Sequence, residues 1–148
     1  MDKIFPLISS GIAGPIGVLH LPRLWLKVSL AAAGRLADGY PDCGKGFDMM
    51  TLNDLGIDAP KALKFLRDTK PTYPEFEAWI KQQPGAKLDP ANIEKHNAAV
   101  RGYIHKDDVR RTILQANRLP DDARAPRDAV NLNNLDDWQG FHAALWAK

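Results

Sequence analysis

The sequence predicts a mainly α-helical protein, one compact multi-helix domain with at most one or two short strands. Three observations predict it. Apolar residues recur at helical spacing from Pro22 to Trp146, the i, i+3, i+4 pattern of amphipathic helices. Helix-start signals precede those stretches: Asp58 ahead of Pro60, Thr72 with Glu75, Asp89 ahead of Pro90. No run of alternating β-branched residues is long enough for a sheet, so strands are confined to the short stretches 15–19 and 129–132. The chain has 148 residues, close to the commonest domain size and enough to bury a core without a disulfide or metal.

The elements follow in order. Residues 3–20 read as irregular or briefly extended. Pro22 opens the first helix, where its missing N–H costs nothing. Leu21, Leu24, Trp25, Val28, Ala31 and Ala32 form its apolar stripe, and Gly34 ends it. Residues 34–46 hold four glycines and a proline and predict a loop. A short helix over 47–55 should turn Phe47, Met50 and Leu55 inward and stop at Gly56. The third helix is capped by Asp58 and uses Leu63, Phe65 and Leu66. The Thr72-x-x-Glu75 pattern starts a fourth, with Phe76, Trp79 and Ile80, ending at Pro84-Gly85. Asp89-Pro90 starts a fifth, with Ile93, Asn97 and Val100 on one side. A sixth runs from about 106 to 118 with Val109, Ile113 and Leu114. Residues 119–133 form a long connection, a length that in compact domains packs or binds something. Asn134 is the expected cap of a last helix that buries Trp138, Phe141, Leu145 and Trp146. One domain, 1–148, is expected, with a helical C-terminal extension over about 89–148.

The charges nearly cancel, 20 Lys and Arg against 18 Asp and Glu, net +2. That balance argues against a nucleic-acid binder and against an acidic membrane surface as partner. The apolar stretch Met1–Leu30 reads as neither an export signal nor a membrane span. Asp2 offsets Lys3, and Pro6, Gly11, Gly14, Pro15 and Gly17 interrupt it, so no run approaches the ~20 residues that cross a bilayer. Cys43 is the only cysteine. It excludes an internal disulfide and fits a reducing, cytoplasmic setting.

Two stretches concentrate polar residues among apolar ones. In His20-Leu-Pro-Arg-Leu-Trp-Leu-Lys27, Arg23 and Lys27 share one helical face next to the apolar stripe. They also lie near the helix start, whose free N–H groups favour an anion. The plainer reading makes them solvated charges, or pairs Arg23 with a carboxylate such as Asp48. The second stretch is Tyr40-Pro-Asp-Cys-Gly-Lys-Gly-Phe-Asp48. Its glycines allow close approach to a ligand. It lacks the spacing and hydroxyl of a phosphate loop. The plainer reading of Asp48 is a cap for the helix that starts there, and Cys43 is a nucleophile only if its thiolate is favoured by Arg23 or Lys27; otherwise it is an inert, buried thiol. The histidines His20, His96, His105 and His142 show no metal-ligand spacing. No metal and no cofactor is expected. Trp25, Tyr40, Tyr73, Trp79 and Trp138 line either a pocket or, at helical spacing, the core.

A series of short blocks carries a family resemblance. They are Gly14-Pro-Ile-Gly-Val-Leu-His-Leu-Pro-Arg-Leu-Trp-Leu-Lys27, Ala33-Gly-Arg-Leu36 with Gly39-Tyr40, Cys43 and Asp48, Leu55-Gly-Ile-Asp58, and Tyr73-Pro-Glu-Phe-Glu-Ala-Trp-Ile80. Over about residues 14–82 the chain resembles the bacterial domain-of-unknown-function 5069 family (DUF5069). Leu21, Pro22, Arg23, Lys27, Tyr40, Cys43, Asp48 and Gly56 to Asp58 match its pattern. Leu26 stands where many members have Asp, and the Cys43 to Asp48 stretch differs from the commoner Cys-Pro-Leu-Asp form. The resemblance implies a bacterial, cytoplasmic protein and carries over no activity.

Three functions remain open. The first is a small-molecule or anion-binding protein with Arg23, Lys27, Tyr40, Asp48, Cys43 and His20 around one site. The second is a small enzyme using Cys43 or Asp48 beside Arg23 and Lys27. The third is an interaction module whose 119–133 segment docks elsewhere. The sequence does not fix an oligomeric state.

Overall fold

A computed structural model describes residues 2–148; Met1, which opens the apolar N-terminal stretch, lies outside them. Among the described residues seven helices follow one another: α1 (Leu21–Ala32), α2 (Phe47–Asp54), α3 (Ala59–Thr69), α4 (Tyr73–Gln82), α5 (Pro90–Gly102), α6 (Asp107–Ala116) and α7 (Ala129–Leu145). The protein is mainly α-helical. Among the described residues the β pairing is limited to isolated bridges, Ile4 to Leu36, Ala13 to Leu19 and Ile104 to Asp128. No helix among them is long and apolar enough to cross a membrane.

Local chemistry accounts for the helix ends. The side chains of Asp58, Thr72, Asp89 and Asp128 accept from backbone N–H groups in the first turns of α3, α4, α5 and α7, which removes donors that a helix start leaves free. Gly34 follows α1 with φ 68°, a conformation that strains a residue with a Cβ.

One apolar core sits between α1, α2, α3 and α4. Leu21, Leu24 and Val28 of α1 meet Leu52, Leu55, Leu66, Phe76 and Ile80. A smaller cluster of Ile113, Leu114 and Leu132 joins α6 to α7. Helix α5 links the two parts. Asn97 donates to the Gly17 carbonyl at 2.8 Å and accepts from the Leu19 N–H at 3.0 Å. His96 donates to the Leu19 carbonyl at 3.0 Å and pairs with Asp54 at 2.7 Å.

The structure corrects four expectations. Residues 129–132 are helical, and 15–19 contribute only the bridge at Leu19. The last helix starts at Ala129 under an Asp128 cap, not at Asn134, so the connection spans 117–128. Helix α2 buries Asp48, Thr51 and Leu52, with Leu55 beyond its end; Phe47 and Met50 are only partly covered. Most of the expected buried stripe of α7 is outside: Trp138 is 56% exposed and Trp146 69%, and Leu145 is exposed too. Helix α7 buries Ala129, Leu132 and Asp137 in its first half, stays partly covered as far as Phe141 and is exposed beyond. Periodicity identifies an apolar face but not how far along the helix a neighbour extends.

Candidate functional site

A cavity of about 300 Å³ lies at the seam between the α1–α4 body and the C-terminal helices. Four pieces of chain line it. His20, Arg23 and Lys27 come from one face of α1 and its start. The 39–48 loop brings Tyr40, three glycines, Phe47 and Asp48. The linker between α5 and α6 brings Tyr103 and His105. Helix α7 brings Ala129, Asn133, Asp136 and Asp137, which share a face by their spacing. The linker reaches α7 because the Ala129 N–H donates to the Tyr103 carbonyl at 2.8 Å and the His105 N–H to that of Arg127 at 3.2 Å.

Arg23 is buried and its partner is Asp137, not Asp48. Nη1 and Nη2 reach the two carboxylate oxygens at 2.6 and 3.1 Å. Nη1 also donates to the carbonyls of Pro6 at 2.6 Å and Ile8 at 3.0 Å. Tyr40 donates its hydroxyl to Asp137 at 2.9 Å, and its ring faces the guanidinium at 6.0 Å. Burial, with the Asp137 charge next, pushes the Tyr40 hydroxyl well up, so it stays protonated as a donor. Gly140 supports this corner from behind. A Cβ there would lie 2.7 Å from the Phe5 ring, and Phe5 packs edge-on against Tyr40.

Asp48 is the second hub. It accepts from Lys27 Nζ at 2.6 Å and from the Gly44 N–H at 2.7 Å, and pairs with His20 Nε2 at 2.6 Å. Burial alone would raise its carboxyl; His20 and Lys27 outweigh that and hold it down to about 2. The His20 imidazole is lowered by burial, which overrides the pull of Asp48. The ring is therefore neutral at pH 7, with Nε2–H donating to the carboxylate and Nδ1 accepting from Ser10 at 2.8 Å. Ser10, His20 and Asp48 stand in a line of hydrogen bonds, but Ser10 is 1% exposed and outside the cavity lining. The line orients the imidazole; it does not present a nucleophile. His20 itself holds φ 74°, an unfavourable backbone for a residue other than glycine, kept in place by these bonds.

The cavity thus gathers His20, Arg23, Lys27, Tyr40 and Asp48 of the residues singled out in the sequence. Cys43 is close by but is not part of the lining. Its sulfur lies 3.9 Å from that of Met49. Burial pushes the thiol up, and the Asp48 and Asp42 charges add to the rise, so its thiolate is disfavoured. Sequence reasoning missed Tyr103, His105, Asn133, Asp136 and Asp137 as site residues. For the α7 residues the available signal was the spacing 129, 133, 136 and 137, hidden by starting the last helix six residues late. Among the described residues no group of three or more His, Cys, Asp or Glu side chains is placed to hold a metal ion.

No protein-family model matches the chain, and no curated protein sequence matches it either.

Proposed function

We propose that the chain is a small-molecule-binding protein, that the seam cavity is its site, and that its ligand carries an anionic group. The observation that supports this most is the convergence of four separate chain segments on one cavity of about 300 Å³ with polar groups set among aromatic ones. Lys27 supplies the anion contact. An ammonium has three donors, and among the described residues its one hydrogen-bond partner is Asp48. Phe47 and Tyr103, packed edge-to-face with centroids 5.4 Å apart, offer a ligand an apolar wall. Arg23 has a different part. Its guanidinium is occupied by Asp137 and two carbonyls, so it shapes the cavity. The raised Cys43 thiol and the buried Ser10 support binding over nucleophilic catalysis. Membership of the DUF5069 family, with the bacterial and cytoplasmic setting it implies, belongs to the same proposal.

A thermal-shift screen against carboxylates, phosphorylated metabolites and nucleotides tests the reading, since a ligand of the folded state raises apparent stability by mass action. A hit whose shift is lost in Tyr103→Ala, a half-exposed residue of the cavity wall, is the expected result. No shift from any of these anions would defeat the proposal.

A further inference from the structure

We infer that the ligand also carries a protonated amine, making it a zwitterion of the amino-acid or aminoalkyl-phosphate type, with Asp136 as the amine's counter-ion. This rests on the reading of the cavity as a binding site for an anionic group and adds the second half of the ligand.

The charges of the lining carry the argument. Two cations, Arg23 and Lys27, face three carboxylates, Asp48, Asp136 and Asp137. Arg23 and Tyr40 bond to both oxygens of Asp137. Lys27, His20 and the Gly44 N–H do the same for Asp48. Each of these two carboxylates has its cation within the protein, Lys27 keeps further donors for the ligand's anionic group, and Asp136 is left over. Among the described residues it has no hydrogen bond and no ion pair. Its neighbours on the cavity side are already engaged, Asn133 through its side-chain oxygen with His105 Nε2 at 2.8 Å.

A ligand that is only an anion would enter the cavity against this unmatched carboxylate. A ligand with an ammonium group removes the conflict and adds a charge-assisted hydrogen bond. Asp136 is exposed on the cavity wall; its partial burial and the neighbouring Asp137 charge raise its carboxyl, against the smaller opposing pull of Arg23 and His105. The rings of Phe47 and Tyr103 can receive either the carbon skeleton or, by their faces, the cation itself.

Isothermal titration with pairs of probes that differ only by an amine tests the inference. Suitable pairs are 3-phenylpropionate with phenylalanine, butyrate with 4-aminobutyrate, and ethyl phosphate with phosphoethanolamine. In at least one pair the amine is expected to tighten binding by about tenfold or more, the scale of one charged hydrogen bond. Asp136→Asn, which keeps the shape, should erase that difference, weakening the amine-bearing probe and, by removing a like charge, tightening its amine-free partner. Its melting temperature, compared with the parent's, checks that the variant is folded. If the amine-free probes bind as tightly as their partners, or if Asp136→Asn keeps the preference, the inference falls and the cavity remains an anion site. If no probe and no other anion binds, the proposed function falls with it.

Discussion

The α1–α4 body and the α6–α7 pair are held by different forces. The body buries Leu21, Leu24, Val28, Leu52, Leu66, Phe76 and Ile80 in one continuous core. Among the described residues the α6–α7 pair has a small apolar cluster of Ile113, Leu114 and Leu132, with Ala129 the other buried apolar residue. It is pinned instead by directional polar contacts. Arg23 clamps Asp137 across the seam. Arg110, buried, pairs with Asp121 and donates to the carbonyls of Asp122, Ala125 and Pro126. Arg110, with Arg111 adding a 3.8 Å contact to Asp121, thus ties the long 117–128 connection back onto α6. Apolar burial is non-directional and tolerates small shifts. A buried ion pair depends on geometry, and breaking it leaves a charge behind. The candidate site lies where the second kind of force takes over from the first.

The sharpest way to break this contrast is at Arg23. Arg23→Ala leaves Asp137 buried without its cation and should cost about 3–5 kcal/mol in urea denaturation. The double variant Arg23→Met with Asp137→Leu should recover part of the loss, because apolar groups can replace a buried pair. Recovery stays incomplete, since the Pro6 and Ile8 carbonyls lose their donor. A loss below about 1 kcal/mol for Arg23→Ala would show that the seam does not depend on the clamp.

Acid tests the other hub. The Asp48 carboxyl lies at about 2 in the folded protein against an ordinary 3.8. Its contribution, about 2 kcal/mol, is complete above pH 4 and is lost as pH falls toward 2. His20 acts earlier. Its folded value is below the unfolded 6.5, so the unfolded chain takes up a proton first and stability falls as pH drops below 6.5. Urea midpoints measured between pH 7.5 and 2 should decline in these two stages. The first stage should weaken in His20→Gln. A flat profile from pH 7.5 to 5 would contradict the neutral buried imidazole.

A smaller, local effect is expected at Arg110. Arg110→Ala removes the donor shared by three carbonyls and should cost about 1–3 kcal/mol. Limited proteolysis should then cut within 117–128 while the body stays intact. Equal cleavage in parent and variant would show that something else orders the segment. The least effect belongs to Cys43. With its thiol raised by burial and the nearby Asp48 and Asp42, labelling at pH 7 should run no faster than in a model peptide. Faster labelling would reopen the thiol as a nucleophile.

Helix starts were legible wherever a side chain both caps and names its helix, as Asp58, Thr72 and Asp89 do. Arg23 and Lys27 were legible as one face because helical spacing alone places them together. Their partners were not. The sequence offers Asp48 as a partner of Arg23, and only the fold assigns it to Lys27 and gives Arg23 to Asp137. The cap of α7 was misread because Asn134, Asp136 and Asp137 look like a helix start when tertiary context is absent. Once α7 begins at Ala129, the same acids fall inside the helix, where a buried carboxylate requires a cation. The exposed Trp138 and Trp146 show the same limit from the apolar side: a stripe is local information, and its cover is not.

The Arg23–Asp137 pair also sets a chronology. Its members stand 114 residues apart, in the first helix and the last. The core of the body can collapse while most of the chain beyond α4 is still unstructured, since its fully buried apolar members all lie before residue 81 and only Ala86, Leu88 and Ile93 add partly buried contacts from beyond it. The clamp closes a very long loop, and contacts of that range form late. The cavity is complete only once this contact has formed, and it opens when the end helices detach. A ligand held there acts as a latch on the finished molecule, slowing the detachment of α7 more than it slows any motion within the body.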